Sequence, residues 1–282
     1  MRNNQDRLGL NAPTDNLQPN HEPPPASGAN PVQFVVPTEI VELPSKGLFY
    51  DEGHPLHNRT TVEIKHMTTK EEDILTNQAY IKNGTAINRL LQSILVEPKV
   101  NVKDIFIGDK NALTVACRVH GYGADYETKF TCPSCGTVQQ YVFDLSEIED
   151  IDFAANLEDF NAEVDYSRKT VTLPIPRTNV KLELKLLKDE VQNDSRKGKK
   201  KNSFSITKQY LTMIQSVNGN SDRTYVKSYI DSMSALDSRY LRAAYSKIVP
   251  GVDFTCHFEC NSCDHEDQVE VPLQAEFFWP RS

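Results

Sequence analysis

The segment Phe130-Thr-Cys-Pro-Ser-Cys-Gly136 has a near copy, Phe258-Glu-Cys-Asn-Ser-Cys-Asp264, 128 residues further along the chain. Both segments carry the leading phenylalanine, two cysteines and the serine between them, and an extended run follows each. A Cys-x-x-Cys turn directs two sulfur atoms at one ion, and two such turns supply the four ligands of a tetrahedral zinc site. The sequence therefore predicts one structural zinc site with the ligands Cys132, Cys135, Cys260 and Cys263.

Iron and disulfide bonds are the alternatives to zinc at these cysteines. The turn at 132–136 also resembles a rubredoxin knuckle, which holds iron, but the second turn has Asp264 where that knuckle has glycine. Disulfides are disfavoured because no secretory signal precedes the cysteines. Four thiolates leave no coordination position for water or substrate, so the predicted site holds the fold together and does no chemistry. Cys256, His257 and His265 could compete as ligands near the second turn, but we interpret them as residues in or beside a strand.

The similarity between the two cysteine segments extends into the residues before them. A helix that opens at Asp109 and ends at Gly121-Tyr-Gly123 precedes the first segment, and we expect its buried face to be Leu113, Ala116, Cys117 and His120. Leu241, Ala244, Tyr245 and Ile248 stand 128 residues after these four. The sequence therefore predicts an internal duplication, in which each repeat contributes one cysteine turn.

Earlier elements of the two repeats match less closely. The alternation around Val62 to Ile64 predicts a strand, and Thr69-x-x-Glu72 predicts a capping box at the start of a helix. In the second repeat, 180–186 predicts a strand, and we align Met213 to Ser216 with Leu90 to Ser93. The latter lie in an amphipathic helix with the apolar residues Ile87, Leu90, Leu91, Ile94 and Leu95.

These patterns predict an α+β protein made of two tandem related repeats that share one zinc-ribbon-like site. The expected segments are a disordered Pro- and Asn-rich arm (1–37), repeat 1 (38–145), an acidic linker (146–177) and repeat 2 (178–282). The arm carries too few apolar residues to form a core of its own.

Composition narrows the classes of function. The chain has 282 residues, of which 38% are hydrophobic and 25% charged, and its formal net charge is −8. We expect no membrane segment, because no apolar run approaches the roughly 18 residues of a membrane helix. The negative charge disfavours duplex binding, which needs a basic face. The only dense basic run, 196–201, is interpreted as a solvated loop, with contact to nucleic acid or an acidic protein as the alternative.

Four short motifs resemble the baseplate hub and hub-assembly proteins of T4-type contractile-tailed phages. They are Leu-Pro-Ser-Lys-Gly-Leu-Phe-Tyr (43–50), Met-Thr-Thr-Lys-Glu-Glu-Asp-Ile-Leu (67–75), Gly-Asp-Lys-Asn-Ala-Leu (108–113) and His-Gly-Tyr-Gly (120–123). The resemblance covers about residues 40 to 145 and is weaker in the second repeat. It implies a non-enzymatic protein that contacts other tail proteins, either in the virion baseplate or in the host cytoplasm during assembly.

The leading hypothesis is therefore a structural or assembly protein of the baseplate hub region. The alternative is a zinc-ribbon nucleic-acid-binding or transcription-type factor, which the acidic surroundings of the cysteine turns disfavour. An enzyme is the least favoured class, because no spacing singles out residues for acid/base or nucleophilic catalysis. Phe277, Phe278 and Trp279 are interpreted either as a contact patch or as residues that pack on the chain's own sheet.

Overall fold

A computed structural model of the chain describes residues 35–188, 206–272 and 275–278. These ranges contain eight α-helices and twelve β-strands, so the expected mixture of helix and strand is present. The helices are α1 (Thr69–Thr76), α2 (Gln78–Lys82), α3 (Ala86–Ile94), α4 (Ile107–Tyr122), α5 (Phe153–Asp159), α6 (Ile206–Met213), α7 (Arg223–Ser232) and α8 (Ala235–Ile248). The strands are β1 (Thr38–Glu42), β2 (Thr61–Lys65), β3 (Asp125–Thr131), β4 (Val138–Asp144), β5 (Glu149–Asp150), β6 (Glu163–Asp165), β7 (Thr170–Ile175), β8 (Val180–Lys185), β9 (Ile214–Val217), β10 (Val252–Asp253), β11 (Thr255–Glu259) and β12 (Glu266–Glu270).

The strands pair antiparallel in several small sheets. Three hairpins, β1–β2, β3–β4 and β11–β12, form two-stranded sheets, and β5 pairs with the distant β10. The remaining four strands make one sheet in the order β6-β7-β8-β9. One hydrophobic core runs through these elements and includes residues of both cysteine hairpins.

The motif at 43–50 folds as a tight turn that is anchored on α4. The Asp109 carboxylate, in the first turn of α4, accepts hydrogen bonds from the Ser45 backbone N–H (2.9 Å) and hydroxyl (2.6 Å) and from the Tyr50 hydroxyl (2.8 Å). Burial raises the pKa of Asp109, and the donors from Ser45 and Tyr50 act in the opposite direction. Phe49 and Tyr50, at the end of this motif, are both buried. The motif therefore fixes the N-terminal part of the fold to α4.

The capping box of α1 lies one residue before the predicted position. Thr68 is the N-cap, its side chain accepts from the first turn of the helix, and Glu71 reaches back to the Thr68 backbone N–H at 3.0 Å. The prediction of Thr69 and Glu72 was wrong because this register lets Glu71 also accept a hydrogen bond from Ser93 of α3, at 2.6 Å. Propensity does not specify such a tertiary contact.

The predicted amphipathic helix is α3, and its Leu90, Leu91 and Ile94 are buried. Helix α4 begins at Ile107, two residues before Asp109, and ends at Gly123, whose φ of +85° caps it.

The predicted buried face of α4 is only partly correct. Leu113 and Cys117 are buried and Ala116 is half-buried, but His120 is exposed. The prediction for His120 was wrong because this residue lies in the last turn of α4, where its side chain reaches solvent. Arg118, on another face of the helix, is fully buried. Its guanidinium donates to the backbone carbonyls of Gly123, Asp125 and Phe277.

The predicted correspondence of the two repeats is uneven. Helices α4 and α8 begin 128 residues apart, and so do strands β4 and β12 in the two cysteine hairpins. Leu113 of α4 and Leu241 of α8 are both fully buried. The alignment of Met213 to Ser216 with Leu90 to Ser93 was wrong, because most of the first segment is strand β9 and the second is helix α3. Strand β9 pairs with β8 and so completes the four-stranded sheet.

Residues 146–177, interpreted above as an acidic linker, contain α5, β6 and β7. Strand β7 pairs with β8 from Thr170↔Lys185 to Ile175↔Val180, and its inward residues Val171, Leu173 and Ile175 are fully buried. The apolar residues of β7 alternate in the sequence, as is typical of a strand, although an acidic stretch precedes them.

Near the C-terminus, Phe277 and Phe278 are buried, and Phe277 packs edge-on against Tyr126 with ring centres 5.3 Å apart. These two phenylalanines therefore pack on the chain itself. Trp279, the basic run at 196–201 and most of the arm at 1–37 lie outside the described residues.

Candidate metal centre

Each cysteine turn closes the tip of a hairpin with the same pair of hydrogen bonds. In the first turn, the Cys132 N–H donates to the Thr137 carbonyl (2.9 Å) and the Gly136 N–H donates to the Cys132 carbonyl (3.0 Å). The second turn has the equivalent bonds from the Cys260 N–H to the His265 carbonyl (2.9 Å) and from the Asp264 N–H to the Cys260 carbonyl (3.0 Å). The two turns are thus local copies of one another.

Gly136 and Asp264 occupy the same left-handed position of the two turns. Their φ angles are +74° and +50°. Glycine reaches this region without steric cost, and aspartate visits it more readily than most residues because its short polar side chain can bond locally. The aspartate is compatible with the knuckle conformation, so it does not by itself separate zinc from iron.

The two hairpins bring all four predicted cysteines together. Cys132 Sγ lies 3.8 Å from Cys263 Sγ, Cys135 Sγ lies 3.8 Å from Cys260 Sγ, and all four sulfurs fall within 4.8 Å of one another. A regular tetrahedron with zinc–sulfur bonds of about 2.3 Å has edges of about 3.8 Å. The sulfurs are too far apart for disulfides, which need about 2.05 Å, and all four cysteines are free. The donor set therefore fits a tetrahedral metal ion.

The sulfurs differ in exposure and acidity. Cys132 and Cys260 are buried, whereas Cys135 and Cys263 are exposed. Hydrogen bonds with Thr137 lower the pKa of Cys135 to about 6, and the hydrogen bond with Cys135 raises the pKa of Cys263 to about 12. Metal ligands must be thiolates, so a bound ion would displace the proton that Cys263 otherwise retains.

Contacts between the hairpins surround the cysteine cluster. The rings of Phe130 and Phe258, which occupy matching positions in the two turns, lie 4.7 Å apart, and the Tyr141 ring lies 4.9 Å from that of Phe258 at a tilt of 56°. The Tyr141 hydroxyl also donates to the His257 carbonyl at 3.2 Å and accepts from the Glu259 N–H at 3.3 Å. The cysteine cluster thus lies beside an aromatic interface between the hairpins.

Three other possible ligands near the second turn are not part of the four-sulfur group. Cys256 is buried, its Sγ lies 3.6 Å from the Asp144 carbonyl, and burial raises its pKa to about 11. His265 pairs with Asp267 at 3.7 Å, and His257 is exposed on β11. Their interpretation as strand and turn residues is consistent with these positions.

A second group of possible metal ligands was not anticipated from the sequence. Glu39, His66 and His120 place their ligand atoms within 4.8 Å of one another. The three residues lie far apart in sequence and share no motif, so no spacing could have revealed the group.

In the described part of the chain, no helix is both long and apolar enough to span a membrane. A search of curated proteins and a search of solved structures each found no match. A protein-family model described as T4 bacteriophage base plate protein matches residues 36–279, which covers the cysteine hairpins and all the helices and strands named above. This chain therefore belongs to the T4 bacteriophage base plate protein family.

Proposed function

We propose that this protein is a structural or assembly component of the hub region of a contractile phage baseplate and acts by binding other tail proteins. The observation that carries the proposal is the family match across 36–279. The motifs at 43–50 and 108–113, which resemble hub proteins, meet in the Ser45–Asp109 hydrogen bonds. These buried hydrogen bonds stabilise the fold, which is consistent with a non-enzymatic role for the two motifs.

Strand β1 offers one surface for such contacts. Among the described residues β1 pairs only with β2, and it carries the exposed aliphatic side chain of Ile40, which is 73% exposed, with Val36 shortly before it. The edge of a short sheet can accept a strand from another protein through backbone hydrogen bonds. This edge therefore suits contact with a second tail protein.

In this proposal Cys132, Cys135, Cys260 and Cys263 bind one zinc ion, which ties hairpin β3–β4 to hairpin β11–β12. The two tandem repeats are proposed to be related from the long helix to the cysteine hairpin, where the offset of 128 residues holds. A nucleic-acid role for the ribbon is less well supported, because the exposed residues of the second turn include Asp264, Glu266 and Asp267. These charges repel a phosphate backbone.

Quantitative mass spectrometry of purified mature phage particles tests the proposal. We expect this chain at a fixed ratio to known baseplate proteins, and cross-links to hub proteins rather than only to peripheral ones. Absence from particles together with association with tail proteins in infected cells would indicate an assembly role. Absence from particles, no association with tail proteins and salt-dependent binding to DNA would contradict the proposal and favour the nucleic-acid alternative.

A further inference from the structure

A cluster of two histidines and one carboxylate lies on the surface where hairpin β1–β2 meets α4. His66 Nε2 lies 3.1 Å from Glu39 Oε1, and the rings of His66 and His120 are 5.7 Å apart. One ligand atom from each residue falls within 4.8 Å of the other two. This is the only group of three or more such side chains, besides the four cysteines, among the described residues.

Three separate elements hold these side chains together. Glu39 lies on β1, His66 directly follows β2, and His120 lies in the last turn of α4. The His66 N–H donates to the Pro37 carbonyl at 2.9 Å, which continues the hairpin pairing past the end of β2. His66 therefore lies opposite Pro37 and on the same face of the hairpin as Glu39, two residues further along β1. Backbone hydrogen bonds therefore fix the positions of Glu39 and His66 within hairpin β1–β2.

Gly121 allows the segment after β2 to approach α4. A Cβ at Gly121 would lie 2.1 Å from the terminal methyl of Met67, so the missing side chain leaves the space that Met67 occupies. Because Met67 follows His66 and Gly121 follows His120, this close packing brings the two histidines together. The cluster thus depends on a specific contact in the fold.

We propose that Glu39, His66 and His120 form a second metal site, which binds a divalent transition-metal ion such as Zn²⁺. Imidazole nitrogen and carboxylate oxygen are ordinary zinc ligands, at about 2.0–2.2 Å, so a tetrahedral set would have edges of about 3.4 Å. The His66–Glu39 distance of 3.1 Å already approaches this value. Three protein ligands leave a fourth position for water or for a group from another protein.

The surroundings favour a cation and allow it to enter. Glu39 supplies a negative charge, and His120 lies at the C-terminal end of α4, where the helix dipole is negative. The side chains of His66 and Glu39 are 30% and 42% exposed, so solvent reaches both. A bound ion would tie hairpin β1–β2 to α4, close to the exposed edge of β1.

Metal titration of the full chain tests the site. The cysteine site is loaded first with one equivalent of Zn²⁺, which Co²⁺ does not displace from four thiolates, and Co²⁺ is then titrated by calorimetry and absorption spectroscopy. A thiolate-to-cobalt charge-transfer band would report binding to sulfur, and we expect a second equivalent of metal to bind without producing this band. His120→Ala and Glu39→Gln should each weaken this second binding at least about 10-fold. The matched controls His257→Ala and Glu42→Gln, which change exposed residues on β11 and β1, should leave it unchanged.

Two results would overturn the proposal. One is the absence of a second equivalent in the unchanged protein, which would leave Glu39 and His66 as an ordinary surface ion pair. The other is a second equivalent that binds equally well to His120→Ala and Glu39→Gln. Circular dichroism of each variant verifies its fold. Neither substitution should unfold the protein, because His120 is exposed and glutamine preserves the shape of glutamate.

Discussion

Asp109 shows how one residue accounts for two sequence motifs at once. Its carboxylate receives three hydrogen bonds from the turn at 43–50, and it is fully buried. Tyr50 also accepts from the Phe106 N–H at 3.1 Å, and burial raises the pKa of its hydroxyl, so Tyr50 remains a neutral donor to Asp109. The network thus links the entry of the fold to the beginning of α4.

Asp109→Ala should lower the free energy of unfolding by about 3 kcal/mol, because the Ser45 N–H and the Tyr50 hydroxyl would lose their buried acceptor. Denaturant unfolding at neutral pH measures this change. The control Asp51→Ala removes an exposed carboxylate of the same N-terminal region and should change stability by less than about 0.5 kcal/mol. Equal stability of the two variants would show that the network contributes little.

Cys135→Ser should lower the zinc content of the purified protein by about one ion per chain, because one of the four thiolates is lost. Metal analysis after gel filtration measures the content. Ser134→Ala, which changes the exposed neighbouring residue in the same turn, is the matched control and should retain zinc. Full zinc retention by Cys135→Ser would argue against its role as a ligand.

At the scale of elements, helix α4 is the part of the fold against which other segments pack. Its first turn holds the turn at 43–50, and Arg118 holds the segment that contains Phe277. Gly108 lets the beginning of α4 touch the loop after α8, since a Cβ there would lie 2.0 Å from the Pro250 carbonyl oxygen and 2.8 Å from the Gly251 Cα. The two long helices are therefore connected through backbone contact.

Gly108→Ala should destabilise the protein even though alanine favours helices. The gain in helix propensity is about 1 kcal/mol, whereas separating two backbone segments costs about 1–3 kcal/mol or more because neither can rotate away. We expect a net loss of about 1–2 kcal/mol in denaturant unfolding. Asn111→Ala, in the same helix, controls for the effect of an added alanine. A stabilised Gly108→Ala variant would contradict the close contact.

For the whole molecule, the two cysteine hairpins join residues about 130 positions apart in the chain. Their interface combines the aromatic contact of Phe130 with Phe258, the hydrogen bonds of Tyr141 and the cluster of four sulfurs. In the absence of metal, the aromatic contacts and the hydrogen bonds between the hairpins would have to hold them together. The proposed zinc ion therefore stabilises the packing of the two cysteine hairpins against each other.

Removal of zinc by a chelator should increase amide hydrogen exchange in β3–β4 and β11–β12 more than in the sheet β6–β9, which contains no cysteine. Loss of binding to tail proteins should accompany this change if the hairpins support a contact surface. Mass spectrometry of exchanged peptides, with metal removal verified by elemental analysis, measures the effect. Unchanged exchange at both hairpins would contradict the mechanical role of the metal.

The sequence alone was sufficient to identify features whose information is local. Cys-x-x-Cys spacing specifies a turn with two converging sulfurs, and the apolar period of Leu90, Leu91 and Ile94 specifies one face of a helix. The resemblance carried by the short motifs also agreed with the family that matches 36–279. These features depend on residues within a few positions of each other.

Tertiary structure decided the features that depend on distant residues. The capping position of Glu71 follows its contact with Ser93, and Arg118 is buried because its guanidinium finds backbone carbonyls such as that of Phe277. Strand β9 exists where a helix was expected because β8 offers an edge for pairing. The grouping of Glu39, His66 and His120 likewise requires β1, β2 and α4 to meet. Local patterns cannot encode such contacts, since their free energy arises only when segments far apart in the chain pack together.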